Sequence, residues 1–366
     1  MAINFGNTGI ADIKFGDNQI SKVYQGTDLI WENEPPPTPP PGDTWTNITS
    51  LQSAVSNNRM KSIAWSGTHF CAVGYQAKCA TSPDGVNWTP QNNLSLLLGD
   101  RWNINSIVWS PELSMFCAVA AFQWFSGESP VSRCFTSPDG ATWSEQVAFN
   151  RLFGNIDMNS VTWSGSQFCA VGKYGRCGTS PDGFTWTNQP NLKRALEEQY
   201  ITALTMNSIT WDGNQFCVVG EKSGCATSRD GIFWRTQVEL AFETNLAQLN
   251  SIVWSPELSM FCTVGNGGVC ATSPDGVIWT KQESFSSVLD LETMWAVTQT
   301  GNSFCAVGNN ATCATSPDGV TWTNQRAFND ALYAEPGRLK PAMWAVAWSG
   351  TSLCSVGENG RCAITP

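Results

Sequence analysis

Fourteen cysteines and a single histidine, His69, bound the chemistry open to this 366-residue chain. The cysteines form seven pairs: Cys71 with Cys79, Cys117 with Cys134, Cys169 with Cys177, Cys217 with Cys225, Cys262 with Cys270, Cys305 with Cys313, and Cys354 with Cys362. The separation is 8 residues in six pairs and 17 in the second. Zinc sites want closely spaced cysteines converging on one point, so no metal is expected here. Two readings stay open: fourteen buried thiols packed as small apolar residues, or seven cross-strand disulfides formed in an oxidising exterior. Packing alone would let Val, Ala or Ser drift into single slots, and both slots are cysteine in every pair, which favours disulfides. His69 alone leaves His-based metal sites and Ser/His/Asp or Cys/His catalysis without their parts. The remaining acidic candidates, Asp84, Asp139, Asp182, Asp230, Asp275 and Asp318, recur once per turn and are expected to satisfy turn amides, and Glu112 and Glu257 share identical SPELS turns. No catalytic residue and no cofactor is expected.

Those residues are placed by a repeat. The phrase SPDG-x-x-W starts at Ser82, Ser137, Ser180, Ser273 and Ser316, with a variant at Ser228 where Arg229 replaces proline. A second phrase, SI-x-W followed by FCAVG, begins near Ser62, Ser106, Ser160, Ser208, Ser251, Ala296 and Ala345. The tryptophans closing the SPDG phrase are spaced by 55, 43, 48, 45 and 43 residues, the period of a propeller blade. Within one unit, β-prone runs at 63–65, 70–73, 79–81 and 86–89 are separated by turn residues, which predicts four antiparallel strands. Proline, aspartate and glycine suit successive positions of the connecting turn. Apart from a turn or two within 191–204, no helix is expected.

The seventh unit ends at CAITP, one strand short, while residues 42–47 read GDTWTN. That fragment supplies the missing strand, with Trp45 as the seventh closing tryptophan, and removes an exposed sheet edge. The fold class is therefore all-β, a closed seven-bladed propeller of four-stranded blades over residues 43–366. Fifteen of the 18 tryptophans, including Trp295 and Trp344, are read as blade packing. Trp31, Trp102 and Trp124 fall outside that frame.

Connections of the fourth-to-first and second-to-third kind share one propeller face, and the length variation falls there, at 91–104, 120–133, 189–205, 282–293 and 325–342. Trp102 and Trp124 belong to loops of the same blade, beside Phe122, Phe125 and Arg101, and are expected to form a stacking platform for a ligand; the plainer reading is that they pack their own long loop. Ahead of the propeller, residues 1–33 read as a small β module with three strands, whose candidate docking residues are Ile20, Val23, Tyr24 and Trp31. Too small to be stable alone, it is expected to dock on a partner. The stretch EPPPTPPPG at 34–42 reads as an extended spacer of about 3.1 Å per residue.

The balance of 20 Lys+Arg against 30 Asp+Glu gives a net charge of −10, which argues against nucleic acid as a partner. No basic segment precedes an apolar stretch at the start, and no run of 18 apolar residues occurs, so neither a signal peptide nor membrane insertion is expected.

The segment DNQISKVYQGTDLIW (17–31) resembles a short module at the start of phage virion proteins, where it precedes tail or fibre domains. The repeats look like the Asp-box-type propeller repeats of phage tail and bacterial surface proteins, although SPDG is one residue shorter than the usual Ser-x-Asp-x-Gly box. Asp-box propellers include sialidases, whose arginine cluster and Tyr/Glu pair find no matching phrase here. The resemblances imply a tail-fibre or adhesin protein located in the virion. It would dock to other virion proteins through residues 1–33, stand as a homo-oligomer in the particle, and recognise a host-surface glycan or receptor with its head. The alternatives are a purely structural capsid or tail decoration and a bacterial lectin-like surface protein.

Overall fold

The computed structural model describes residues 44–122, 131–200, 202, 204–333 and 340–366, together with four strands nearer the N-terminus. Seven four-stranded antiparallel sheets follow one another, six of them in sequential strand order and the seventh completed by a strand from ahead of the first. Blade 1 comprises Met60–Trp65, Phe70–Gly74, Cys79–Ser82 and Thr89–Pro90, and blade 2 comprises Trp102–Ser110, Met115–Phe122, Ser132–Ser137 and Ser144–Glu145. Blades 3 to 6 repeat the pattern. Blade 7 joins Met343–Trp348, Leu353–Gly357 and Cys362–Ile364 to Thr46–Ile48, in the register Ile364↔Thr46, Ala363↔Asn47 and Cys362↔Ile48. The expected closure by the strand after Trp45 is present.

The fourth strands are shorter than the sequence suggests, and the SPDG turn explains why. One oxygen of Asp84 accepts from the amides of Val86 and Asn87 at 2.8 Å each and from the Ser82 hydroxyl at 2.9 Å. Residues 86 and 87 thus spend their amides on the turn, and pairing starts only at Thr89. Burial alone would raise the Asp84 pKa, but hydrogen bonds from Asn87, Val86 and Ser82 outweigh it and hold the carboxyl down to about 2. The other five turn aspartates are also held below their ordinary value. A depressed folded-state pKa stabilises the fold above the unfolded value, and that contribution disappears as pH falls through the folded one. Melting temperature is therefore expected to drop progressively between about pH 4 and pH 2, as a pH series of thermal scans would show.

The turn glycine also fits the neighbouring blade. Gly140 of blade 2 has φ +70°, and a Cβ there would meet Cys71 Sγ and Thr81 Cγ2 of blade 1 at 3.0 Å. Cys71, Val73 and Cys79 pack in one core with Leu94, Phe116 and Trp143. The equivalent Cys–Val–Cys set lines the core at every other joint. The cysteines therefore face the next blade.

All fourteen are free thiols, and the expectation of disulfides is corrected. The sulfurs of Cys71 and Cys79 stand 3.6 Å apart, as do those of Cys117 and Cys134. Cys169 and Cys177 are separated by 3.7 Å, Cys217 and Cys225 by 3.9 Å, and Cys262 and Cys270 by 3.8 Å. Cys305 and Cys313, like Cys354 and Cys362, lie 3.7 Å apart. Every one of these distances is well outside a covalent bond. Register supplies the reason: Cys71 lies opposite Thr81, and Cys79 lies opposite Val73. The two cysteines share a face but sit on a diagonal two residues off register, where Cα atoms are too far apart for a bridge. The same offset recurs in every blade, with Cys177 opposite Val171 and Cys225 opposite Val219. Burial, reinforced by the partner thiol, pushes Cys71, Cys134, Cys169, Cys217, Cys270, Cys313 and Cys354 well above the usual thiol pKa. Thiol titration of the denatured protein without reductant is expected to count close to fourteen, and the native protein to react at few of them.

Helices are more frequent than the sequence suggests. Every connection into the first strand of a blade carries a short one: Ser50–Ala54, Asn93–Leu98, Val147–Phe153, Asn191–Tyr200, Glu239–Glu243, Glu283–Val288 and Arg326–Leu332. Sequence reading predicts only the fourth. Each plants a fully buried residue in a joint six residues after the closing tryptophan, namely Leu51, Leu94, Phe149, Leu192, Leu240, Phe285 and Phe328.

Before six of the seven helices a glutamine donates to a threonine of the third strand, as buried Gln325 does through Nε2 to Thr315 Oγ1 at 2.6 Å. Blade 7 alone has isoleucine at both positions, Ile48 and Ile364, buried in one cluster. A polar pair has been exchanged whole for an apolar pair, which avoids leaving either partner unsatisfied. Gln325→Ile or Thr315→Ile alone is expected to cost about 1–3 kcal/mol, and the double substitution to recover most of it, in a denaturation double-mutant cycle.

Residues 1–40 form a unit separate from 41–366. Where three strands were expected, the described residues of this unit form four: Lys14–Phe15 pairs with Asn18–Gln19, and Lys22–Gln25 with Asp28–Glu32.

Candidate ligand site

The first strand of each blade loses register with the second at one point, between Met60 and Ser62 in blade 1 and at the equivalent step in the other six. The extra residue at such a bulge is free of the ladder and can be aimed elsewhere. Here it is Lys61, Asn105, Asn159, Asn207, Asn250, Trp295 or Trp344. Successive first strands adjoin one another around the propeller axis, so these seven residues form a ring. With Lys173, Thr205, Glu221 and Gln248 they line a funnel of about 380 Å³ on the face that carries the variable loops.

The ring is tied hand to hand. The side-chain amides of Asn105, Asn159, Asn207 and Asn250 donate to the main-chain oxygens of Met158, Met206, Leu249 and Met294 in the next blade at 2.8–3.0 Å. Lys61 Nζ donates to Asn105 Oδ1 at 2.8 Å. Burial pushes the Lys61 ammonium down to about 8, with Arg59 and Lys173 adding to the shift and Asp157 opposing it. On the opposite arc the indoles of Trp295 and Trp344 stack at 4.3 Å and 26°, and Trp295 Nε1 donates to Asn309 Oδ1 at 2.7 Å. The Arg59 guanidinium lies 4.8 Å from the ring centres of both Trp344 and Tyr75 and is held by Glu358 at 2.9 Å. Trp344 Nε1 is buried with no partner among the described residues. A concave mouth with amides on one side, a stacked aromatic pair on the other and one shifted amine has the make-up of a ligand site.

Trp295 and Trp344, read from the sequence as blade packing, are thus funnel residues. The available signal was the residue between an apolar residue and Ser or Ala at the start of each first strand, which runs Lys, Asn, Asn, Asn, Asn, Trp, Trp through the blades. The loop residues singled out from the sequence do meet in part. Trp102 and Phe122 are cross-strand partners with rings 5.3 Å apart, and Arg101 lies over Phe122 at 4.4 Å. Trp102 is only 6% exposed, with Arg133 over its ring at 4.7 Å, so in this arrangement it packs the hairpin. Trp124, Phe125 and Ile20 lie outside the described residues. Val23 and Trp31 face each other in register, with Tyr24 beside Val23 on its strand; the side chains of all three also lie outside the description.

His69 is accounted for by packing. Its Nε2 donates to the main-chain oxygen of Asp139 in the next blade at 3.2 Å, as Gln167 and Gln215 do to Asp230 and Asp275 at 2.9 and 2.8 Å. Among the described residues no group of three His, Cys, Asp or Glu is placed to hold a metal ion, and no helix is long and apolar enough to cross a membrane.

No protein-family model matches the chain, and no curated protein matches it. Solved structures do. YCF48 bound to a D1 peptide matches with a TM-score of 0.62 at 16% identity, covering 89% of this chain and 95% of that one. Virginiamycin B lyase from Staphylococcus aureus with Quinupristin matches with a TM-score of 0.64 at 10% identity, covering 88% and 98%. The β-propeller domain of Myceliophteria thermophila Cps50 (Swd1) matches with a TM-score of 0.57 at 12% identity, covering 84% and 96%. At these identities the likeness is one of fold: the chain is a seven-bladed β-propeller.

Proposed function

We propose that the propeller is a recognition head of a phage virion protein, binding a host-surface glycan at the funnel on its loop-rich face, with residues 1–33 docking to other virion proteins. The observation that carries the binding role is the ring of seven bulge residues with its Arg59–Trp344–Trp295 stack. Side-chain amides suit sugar hydroxyls, and indole faces suit the apolar faces of sugar rings. The virion part of the reading rests on the resemblance of residues 17–31.

Binding without catalysis is the better account of this site. Among the described residues, serine, cysteine and histidine are all missing from the funnel lining, and the chain's one histidine is a turn pin. A histidine-to-alanine variant of the lyase is described as catalytically inactive. The isolated head, residues 43–366, is expected to bind intact host bacteria and to compete with virus particles for adsorption. A head that neither binds nor competes sinks the reading.

A second reading, contact with neighbouring virion proteins alone, is favoured by one surface feature. Between the helices Asn191–Tyr200 and Glu239–Glu243 lies an apolar groove of about 280 Å³, with Phe242 82% and Leu246 57% exposed. The YCF48 relative binds a peptide, which accords with protein partners for this fold. Locating the chain in an intact particle separates the two: an outward head supports adhesion, and a head packed among neighbours supports decoration.

A further inference from the structure

The repeats serve as internal controls for one another, and blade 4 departs from them at three positions around a single turn. Arg229 stands where five blades have Pro83, Pro138, Pro181, Pro274 and Pro317. Phe233 stands where four have Asn87, Thr142, Thr185 and Thr321, whose side chains each donate to the second oxygen of the turn aspartate, and where blade 5 has the apolar Ile278. Arg235 stands where the other six have threonine or serine.

Each change gives up something local. The preset φ of proline is lost, and the second oxygen of Asp230 loses a donor. No local contact replaces them: neither guanidinium makes an ion pair or hydrogen bond to a described residue, and Phe233 is 71% exposed. Departures from a local rule without local gain are expected at functional sites.

All three side chains line one cleft of about 450 Å³, between the turns of blades 4 and 5 on the face opposite the funnel. Its one acid, Asp230, spends one oxygen on the amides of Ile232 and Phe233 at 2.8 and 2.9 Å and on the Ser228 hydroxyl at 3.1 Å and makes no ion pair with either arginine, so the lining sets two cations against one anion. The rest of the lining is largely polar, with Gln215, Gln237 and Ser228 beside one aromatic ring.

We propose that this cleft binds acidic saccharides, with Arg229 and Arg235 gripping a sugar carboxylate and Phe233 stacking on the ring. Guanidinium is the side chain that matches a carboxylate with paired parallel hydrogen bonds. An aromatic ring set among amides and a hydroxyl favours a saccharide over an acidic peptide, which would want more apolar lining. The site goes beyond the funnel and does not depend on what the funnel binds.

Titration calorimetry of the full chain with tetragalacturonate tests this, with its methyl-esterified form and a sulfated galactan oligomer as comparison ligands. Saturable binding is expected, at least tenfold weaker for either comparison ligand. The double substitution Arg229→Pro with Arg235→Thr restores residues the other blades carry. It is expected to keep or raise the melting temperature and to weaken binding at least tenfold, as is Phe233→Thr. Trp344→Ala in the funnel is expected to leave this binding unchanged. Equal affinity for the ester, the sulfated oligomer or the double variant overturns the proposal. So does a loss seen only with Trp344→Ala, or no saturable binding at millimolar tetragalacturonate.

Discussion

A chain lacking residues 43–49 is expected to yield no stable propeller, whereas removal of 1–42 should leave the melting temperature of the head unchanged. The asymmetry follows from where a few residues sit. Trp45 is buried at the joint of blades 6 and 7, edge-on to Phe328 at 4.6 Å, in a cluster with Val307 and Leu353. Three residues on, Ile48 is buried at the opposite joint, between blades 7 and 1, with Leu51, Phe70 and Ile364. The one strand thus contributes to both joints of blade 7 and also covers the edge of Cys362–Ile364. Losing it opens the ring at two places and exposes a hydrogen-bonding edge. Trp45→Ala is the milder form of the experiment and is expected to cost about 3–5 kcal/mol in chemical denaturation. A melting temperature unmoved by either change would mean that closure adds little to stability.

How much of this was legible in the sequence depended on whether the signal was long-range or local. The repeat of SPDG-x-x-W, and the orphan Trp45, were enough to read seven blades and their closure, because a turn phrase with fixed chemistry marks the period without reference to any strand. The cysteine spacing of 8 misled, since a hairpin's spacing does not reveal its register, and the diagonal offset of Cys71 and Cys79 separates a thiol contact from a disulfide. Most of the joint helices went unread because five to seven residues are too few for helical periodicity, even though Leu or Phe recurs six residues after every closing tryptophan. The funnel was hidden for a different reason. A bulge breaks the alternation on which strand reading depends, so Lys61, the four asparagines, Trp295 and Trp344 look like ordinary strand residues until the register is known.

The funnel supplies the other large effect. Trp344→Ala or Trp295→Ala is expected to reduce binding of the isolated head to host cells or their purified surface polysaccharide by about 2 kcal/mol or more, roughly thirtyfold. The two substitutions should differ in stability. Trp344 makes no hydrogen bond to a described residue through its buried Nε1, so its loss removes stacking on Trp295 and the contact with Arg59, whereas loss of Trp295 also strands Asn309. Folding should therefore survive Trp344→Ala better, and that variant is the cleaner probe of recognition. Lys61 adds a second readout: its ammonium titrates at about 8, so a ligand that accepts a hydrogen bond from its charged form should bind progressively more weakly as pH rises through that value. Lys61→Gln keeps a donor toward Asn105 but cannot titrate, and should flatten the profile. If Trp344→Ala binds as well as the unaltered head, recognition lies away from the axis, and the connections that differ in length between blades become the better place to look.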